Sequence, residues 1–253
     1  MKSSTIMRDT RILLTALLLA PLAALQADEP REQILTLGKL TAPPALYSAE
    51  GFAGEAGVKA VFFEALPWKG KPTRVFAWLG IPGKCAGKLL GIVLVHGGGG
   101  TAFKEWVQKW NEHGFAAISI AVEGQIDERD TLLSKGRSER SWKRHGWAGP
   151  ARSGIYKDST EPLPEQWMWH AVADAVLANS LLRSLPEVDP DKVGIMGISW
   201  GGVITSTVIG IDSRFAFTSP PMAAAICSTR TISMAGHSAT MSFTGKPGTR
   251  WCE

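Results

Sequence analysis

The chain has 253 residues, 45% hydrophobic and 20% charged, which suits one globular domain with a substantial core. Its formal net charge of +4 gives no electrostatic case for a nucleic-acid partner. Three cysteines (Cys85, Cys227, Cys252) are too few for a disulfide scaffold, and no His/Cys cluster has metal-ligand spacing, so no structural metal is expected.

The N-terminus is basic (Lys2, Arg8, Arg11) and runs into an apolar stretch from Ile12 to Leu25. Ala27, a small residue, closes it ahead of Asp28 and Glu29. This pattern predicts a secretory signal peptide over residues 1–27 and a secreted or periplasmic product. The apolar run is short for a membrane span, and no longer one follows, so no stable membrane insertion is expected after cleavage.

A mixed, Pro-containing lead-in occupies Asp28 to Glu55. Val58 to Phe63 and Arg74 to Ile81 then read as strands, with Lys69-Gly-Lys-Pro72 as the turn between them. They predict an antiparallel entry to a larger sheet. Leu89-Leu-Gly-Ile-Val-Leu-Val95 is a continuous apolar strand, as expected when both faces are covered. It leads into His96-Gly-Gly-Gly-Gly-Thr101. A helix is predicted over Ala102 to His113, with Phe103, Val107 and Trp110 on one face and Gly114 as its stop. Phe115 to Val122 reads as another buried strand. The strand–helix–strand alternation implies a mostly parallel sheet wound on both sides.

Glu123 to Leu163 is a long polar insertion that carries Arg129, Lys135, Arg137, Arg140, Lys143, Arg144 and Arg152 together with Trp142 and Trp147. It follows a strand whose carboxyl end opens onto the active face of such a sheet. A lid or substrate-binding loop is one reading; a solvated excursion with its tryptophans docked on the body is the other. Pro164 to Leu185 reads as a long helix in which His170 serves packing or surface rather than catalysis. Asp189-Pro-Asp-Lys192 reads as the turn into the next strand.

That strand ends abruptly at a serine, in Val193-Gly-Ile-Met-Gly-Ile-Ser199-Trp-Gly-Gly202, and an apolar run of helical length follows. Strand, sharp turn and helix with serine on the turn is the Gly-x-Ser-x-Gly nucleophile elbow. A turn tight enough to expose the serine oxygen strains its backbone. Strand and helix then pass so closely that glycine is needed two residues either side. Serine hydroxyl also needs a histidine base, an acid that orients the base, and donors for the oxyanion that forms. The His96-Gly-Gly-Gly-Gly100 segment can supply bare backbone N–H groups, and the N–H of Trp200 another. A phosphate loop is the rival reading, but its Lys and Ser/Thr are absent.

These two motifs, Ile92 to Gly100 and Val188 to Gly202, resemble the α/β-hydrolase superfamily. The similarity is greatest to its branch of dienelactone hydrolases, acetyl xylan esterases and prolyl oligopeptidase-type domains, and it extends from about Phe62 to Phe217. The resemblance implies an α/β fold with a mostly parallel central sheet and helices on both faces. It makes Ser199 the nucleophile and Gly97, Gly98, Gly99 and Trp200 the oxyanion hole. It also implies an acyl-enzyme route without a cofactor, on small-molecule or polysaccharide esters. A peptidase of the prolyl oligopeptidase type is the alternative, though no propeller-like repeat precedes the domain. A non-catalytic relative that holds sugar or protein through the insertion is another.

Where the family order is Ser, then acid, then His, this sequence departs from it. Asp212 follows Ser199 by 13 residues and reads as a turn or cap residue. His237 is the only histidine after the nucleophile, in a Ser/Thr/Gly/Ala setting with no strand before it, and is a weak base candidate. From Thr218 onward the chain has no Leu or Val and only two Ile. Residues 28–217 thus read as an incomplete hydrolase domain without its last strands, and 218–253 as a poorly ordered tail. A reading-frame shift near Phe217 is the expected origin, and an inactive product its consequence.

Overall fold

A computed structural model describes residues 29–83, 87–130 and 141–218, and the backbone of 233–234. The chain divides into two compact units, residues 1–36 and 37–253. Of the first unit, residues 29–36 are described and are helical.

The second unit is built on one eight-stranded sheet. Strands β1 (Leu46–Ser48), β2 (Val58–Trp68) and β3 (Lys71–Gly80) form an antiparallel entry. Lys69 and Gly70, at φ 49° and 73°, close the β2–β3 hairpin as the two-residue turn that matches strand twist. Next in chain order come β4 (Leu89–Val95), α1 (Lys104–Glu112) and β5 (Phe115–Ile120). After them lie β6 (Gln125–Arg129), β7 (Trp142–Arg144), a 3₁₀ turn at Leu163–Glu165 and α2 (Trp167–Ser184). The last elements are β8 (Val188–Gly197), α3 (Trp200–Ile209), β9 (Phe217–Thr218) and β10 (Ser233–Met234). In space the order is β1-β2-β3-β5-β4-β8-β9-β10, with β5, β4, β8 and β9 parallel. This is the centre of an α/β-hydrolase sheet.

The period of two along each strand assigns the two faces. Ile92 and Leu94 of β4 join Phe76, Trp78 and Val107 of α1 on one side. Val93 and Val95 join Ala77, Leu79, Ile118 and the buried faces of α2 and α3 on the other. Both sides of β4 and β5 are therefore covered, which is why their sequences are apolar without alternation.

Several expectations about elements change, beginning with the turn expected over Lys69 to Pro72, of which Lys71 and Pro72 lie in β3. The lead-in contains β1, which pairs with β2 through Leu46, Tyr47 and Ser48. Asp189 to Lys192 lies inside β8 rather than before it. The pairing with β4 slips between Leu89 and Gly91, so these residues form an irregularity in the strand, the place where a proline is tolerated. The helix read over Pro164 to Leu185 starts three residues later, because a 3₁₀ turn takes the prolines. The insertion carries its own two-stranded sheet, β6–β7. Among the described residues no helix is long and apolar enough to cross a membrane.

Candidate active site

Ser199 stands between β8 and α3 with φ 55° and ψ −116°, a combination that L-residues rarely adopt, and it is exposed. The glycines around it are sterically required. A side chain at Gly197 would run into the Gly201 carbonyl, and one at Gly201 into the carbonyl oxygens of Val95 and His96. Strand and helix thus meet backbone to backbone. The first turn of α3 has no intrahelical acceptor for the Trp200 N–H, and the positive end of the helix lies there.

The glycine segment faces this serine. A Cβ placed on Gly97 would lie 3.2 Å from the Ser199 Cβ and 3.1 Å from the Ile198 carbonyl oxygen. One on Gly98 would lie 2.6 Å from Cδ1 of the Trp200 ring. The segment is itself a tight turn, with the Gly100 N–H donating to the Gly97 carbonyl (3.0 Å) and Gly99 at φ 71°. The N–H of Gly99 donates to Glu123 Oε1 (3.2 Å). That contact ties Gly99 to the scaffold.

His96 anchors the start of the segment from below. It is fully buried, its Nε2 accepts from the Val122 N–H (3.0 Å), and its Nδ1 lies 2.6 Å from the Gly97 carbonyl oxygen. With Nε2 occupied as an acceptor, Nδ1 must carry the proton and donate to Gly97. Burial holds His96 below the ordinary histidine value and keeps it neutral.

Glu123 is the buried carboxylate of the site. Besides Gly99, its Oε1 accepts from Arg152 Nε (2.7 Å), and its Oε2 accepts from Gln125 Nε2 (3.1 Å). Arg152 also donates through Nη1 to the Gly154 carbonyl (2.8 Å), and its guanidinium lies 5.5 Å from the Trp200 ring centre and 5.9 Å from that of Trp167. Trp167 holds its indole N–H on the Val122 carbonyl (2.7 Å) and packs edge-on against Trp200. Tyr156, half exposed at φ 55°, also packs edge-on against that ring.

The sequence pointed to Ser199, Trp200 and the glycines, and to Arg152 only as part of the insertion; Glu123, Gln125, Trp167 and Tyr156 were missed. Glu123 had one signal, its place just past the carboxyl end of a buried strand, and Gln125 lies two residues on and bonds to it. Arg152, Trp167 and Tyr156 reach the site through contacts distant in sequence. Of the insertion, the part around Arg152 and Tyr156 docks beside the site, while residues 131–140 lie outside the described residues.

The remaining candidates separate. His170 is buried with Nε2 2.9 Å from the Pro164 carbonyl oxygen, a packing role. Asp212 is buried and accepts from Arg214 Nη2 (2.7 Å) and Asn179 Nδ2 (3.0 Å), where it ties the end of α3 to α2. His237 lies outside the described residues, as do the signal segment and most of the tail. Among the described residues nothing hydrogen-bonds to Ser199 Oγ, and no group of His, Cys, Asp and Glu side chains could hold a metal ion.

Residues 40–237 match the model of the acetyl xylan esterase (AXE1) family. The chain belongs to that family. In structure it is similar to an acetyl xylan esterase from Paenibacillus sp. R4, with TM-score 0.52 and 20% identity over 74% of this chain. It is also similar to acetyl xylan esterase 1 from Thermoanaerobacterium sp. JW/SL YS485, with TM-score 0.51 and 17% identity over 75%. At these identities the likeness concerns the fold, which is that of the α/β-hydrolases. The chain spans 56% and 57% of the lengths of those two proteins. The four-glycine segment and the elbow of this AXE1-family chain sit at the carboxyl ends of the neighbouring parallel strands β4 and β8.

Proposed function

We propose that the chain works as a serine-dependent carboxylic ester hydrolase, with acetylated plant polysaccharide as its favoured substrate class and export as its route. The observation that carries this reading is Ser199 itself, exposed at φ 55° and facing Gly97 across the elbow. Ser199 Oγ attacks the ester carbonyl carbon, and its proton passes to a base. Chain order offers His237, outside the described residues, for that role. The carbonyl oxygen becomes an oxyanion held by the N–H groups of Trp200 and of Gly97 or Gly98. The C–O bond to the alcohol breaks and the alcohol leaves with the proton. Water then opens the acyl-enzyme, releasing the acid and restoring the serine hydroxyl.

A fluorophosphonate probe and p-nitrophenyl acetate test this. The wild-type chain should label and turn over. Ser199→Ala should lose labelling entirely and lose turnover by roughly 10³-fold or more, with its circular dichroism unchanged. Labelling that persists in Ser199→Ala, or a folded wild type that neither labels nor hydrolyses, would defeat the proposal. Faster turnover of an acyl-peptide than of the acetate ester would move the substrate class from esters to peptides.

A further inference from the structure

We infer that Glu123 and Arg152 are positioning residues: together they form a charge-balanced strut that fixes the four-glycine segment against Trp200. The inference rests on the esterase reading for its catalytic consequence, but not for its structural part.

A run of four glycines has the weakest backbone preferences available, so its shape must be imposed from outside. Three contacts impose it. His96 holds the Gly97 carbonyl, the Gly97 carbonyl holds the Gly100 N–H, and Glu123 holds the Gly99 N–H. The first two lie within the segment and its own strand. The third ties a glycine of the segment directly to another part of the fold, the stretch that follows β5, to which His96 is also joined through the Val122 N–H. It acts where the backbone turns to positive φ.

A lone carboxylate would be poor for this task. Glu123 is buried, and its negative charge would stand beside the place where an oxyanion forms. Arg152 removes both objections. Its Nε takes the same oxygen that accepts from Gly99, and its side chain is mostly covered itself. A Cβ on Gly98 would lie 2.8 Å from Arg152 Nη2, so the guanidinium also forms a wall of the segment. The same plane approaches the rings of Trp200 and Trp167. Strand end, glycine segment, elbow helix and insertion are thereby joined at one ion pair. The insertion contributes to the site by this route without supplying a reacting group.

Hydrogen exchange and kinetics on Glu123→Ala, Glu123→Gln, Arg152→Ala and Arg152→Lys separate the possibilities. In Glu123→Ala, amides in the peptide covering 96–100 should exchange roughly tenfold faster or more, with β4 and β8 peptides unchanged. Against p-nitrophenyl acetate, kcat should fall by about 10²-fold with KM moved little, because the loss falls on transition-state stabilisation. Added guanidinium should restore part of the kcat of Arg152→Ala, which a general loosening of the fold would not allow. Glu123→Gln keeps an acceptor for Gly99 and should fall between wild type and Glu123→Ala. It also serves if Glu123→Ala does not fold. Unchanged exchange at 96–100 would overturn the inference, as would faster exchange with unchanged kcat. Faster exchange in a chain whose wild type is inert to esters and to the probe would sink the esterase reading and leave the strut standing.

Discussion

Ser199 shows how one residue records a function in its backbone. A non-glycine at φ 55° costs about 1–3 kcal/mol, and nothing local repays it. Ser199→Gly should therefore melt higher than Ser199→Ala by about 1 kcal/mol, since only glycine relieves the dihedral. Equal melting temperatures for the two variants would mean the turn is unstrained. The neighbouring glycines make the complementary case. Gly197→Ala forces a methyl group into the Gly201 carbonyl, where backbone cannot yield, and should cost about 3 kcal/mol or more. Gly146 has open space where its Cβ would be, so Gly146→Ala should be close to neutral in the same denaturant titration. A Gly197→Ala protein as stable as Gly146→Ala would show that strand and helix do not meet as described.

At the scale of elements, α2 carries a second tension. Almost every position from His170 to Leu182 is buried, and Asp174 is among them. Its Oδ1 has no hydrogen-bond partner among the described residues, and burial holds its carboxyl well above the usual range. The unfolded chain releases the proton more readily than the folded one, which favours unfolding as the pH rises above the ordinary aspartate value. Asp174→Asn should thus raise the melting temperature at pH 7, by an amount that shrinks as the pH is lowered toward 4. A variant no more stable than wild type at pH 7 would place a partner on that carboxyl. Elements of this kind were unevenly legible in the sequence. β4 could be bounded to the residue because both its faces are buried, and that makes an uninterrupted apolar run. The elbow was legible because its glycines answer to sterics between adjacent segments. α2 reads as amphipathic in part, yet its polar positions Asp174, Asn179 and Ser180 are also inside, and no periodicity announces that. Least legible was the insertion, whose anchors Arg152 and Tyr156 find their partners 29 and more positions away.

For the molecule as a whole, the parallel run β5-β4-β8 explains why the site exists where it does. Three neighbouring strands end on the same edge, and their next residues are Ala121 to Glu123, His96 to Gly100, and Ser199. Glu123, the glycine segment and the serine are brought together by strand direction, and the insertion adds Arg152. The same burial that shapes this edge sets the response of the fold to acid. His96, His145 and His170 are all held below the ordinary histidine value, chiefly by burial, and His145 is lowered to about 4. His145 has neither ring nitrogen hydrogen-bonded among the described residues and packs edge-on against Phe62. In each case the unfolded chain binds a proton near pH 6.5 that the folded chain refuses. Stability from these groups is complete above pH 6.5 and declines as the pH falls, for His145 down to about 4. Asp174 and Asp127, both raised by burial, have the opposite sign over this window, but they are two groups against three. Denaturation between pH 7 and 4.5 should therefore show stability falling with acid, by up to about 1.4 kcal/mol per pH unit for each proton taken up. His145→Phe should flatten that slope by up to one proton, since the ring stacks in place without a titrating nitrogen. A slope that is absent in the wild type, or unaltered in His145→Phe, would show that the imidazole is not held neutral by the packing around it.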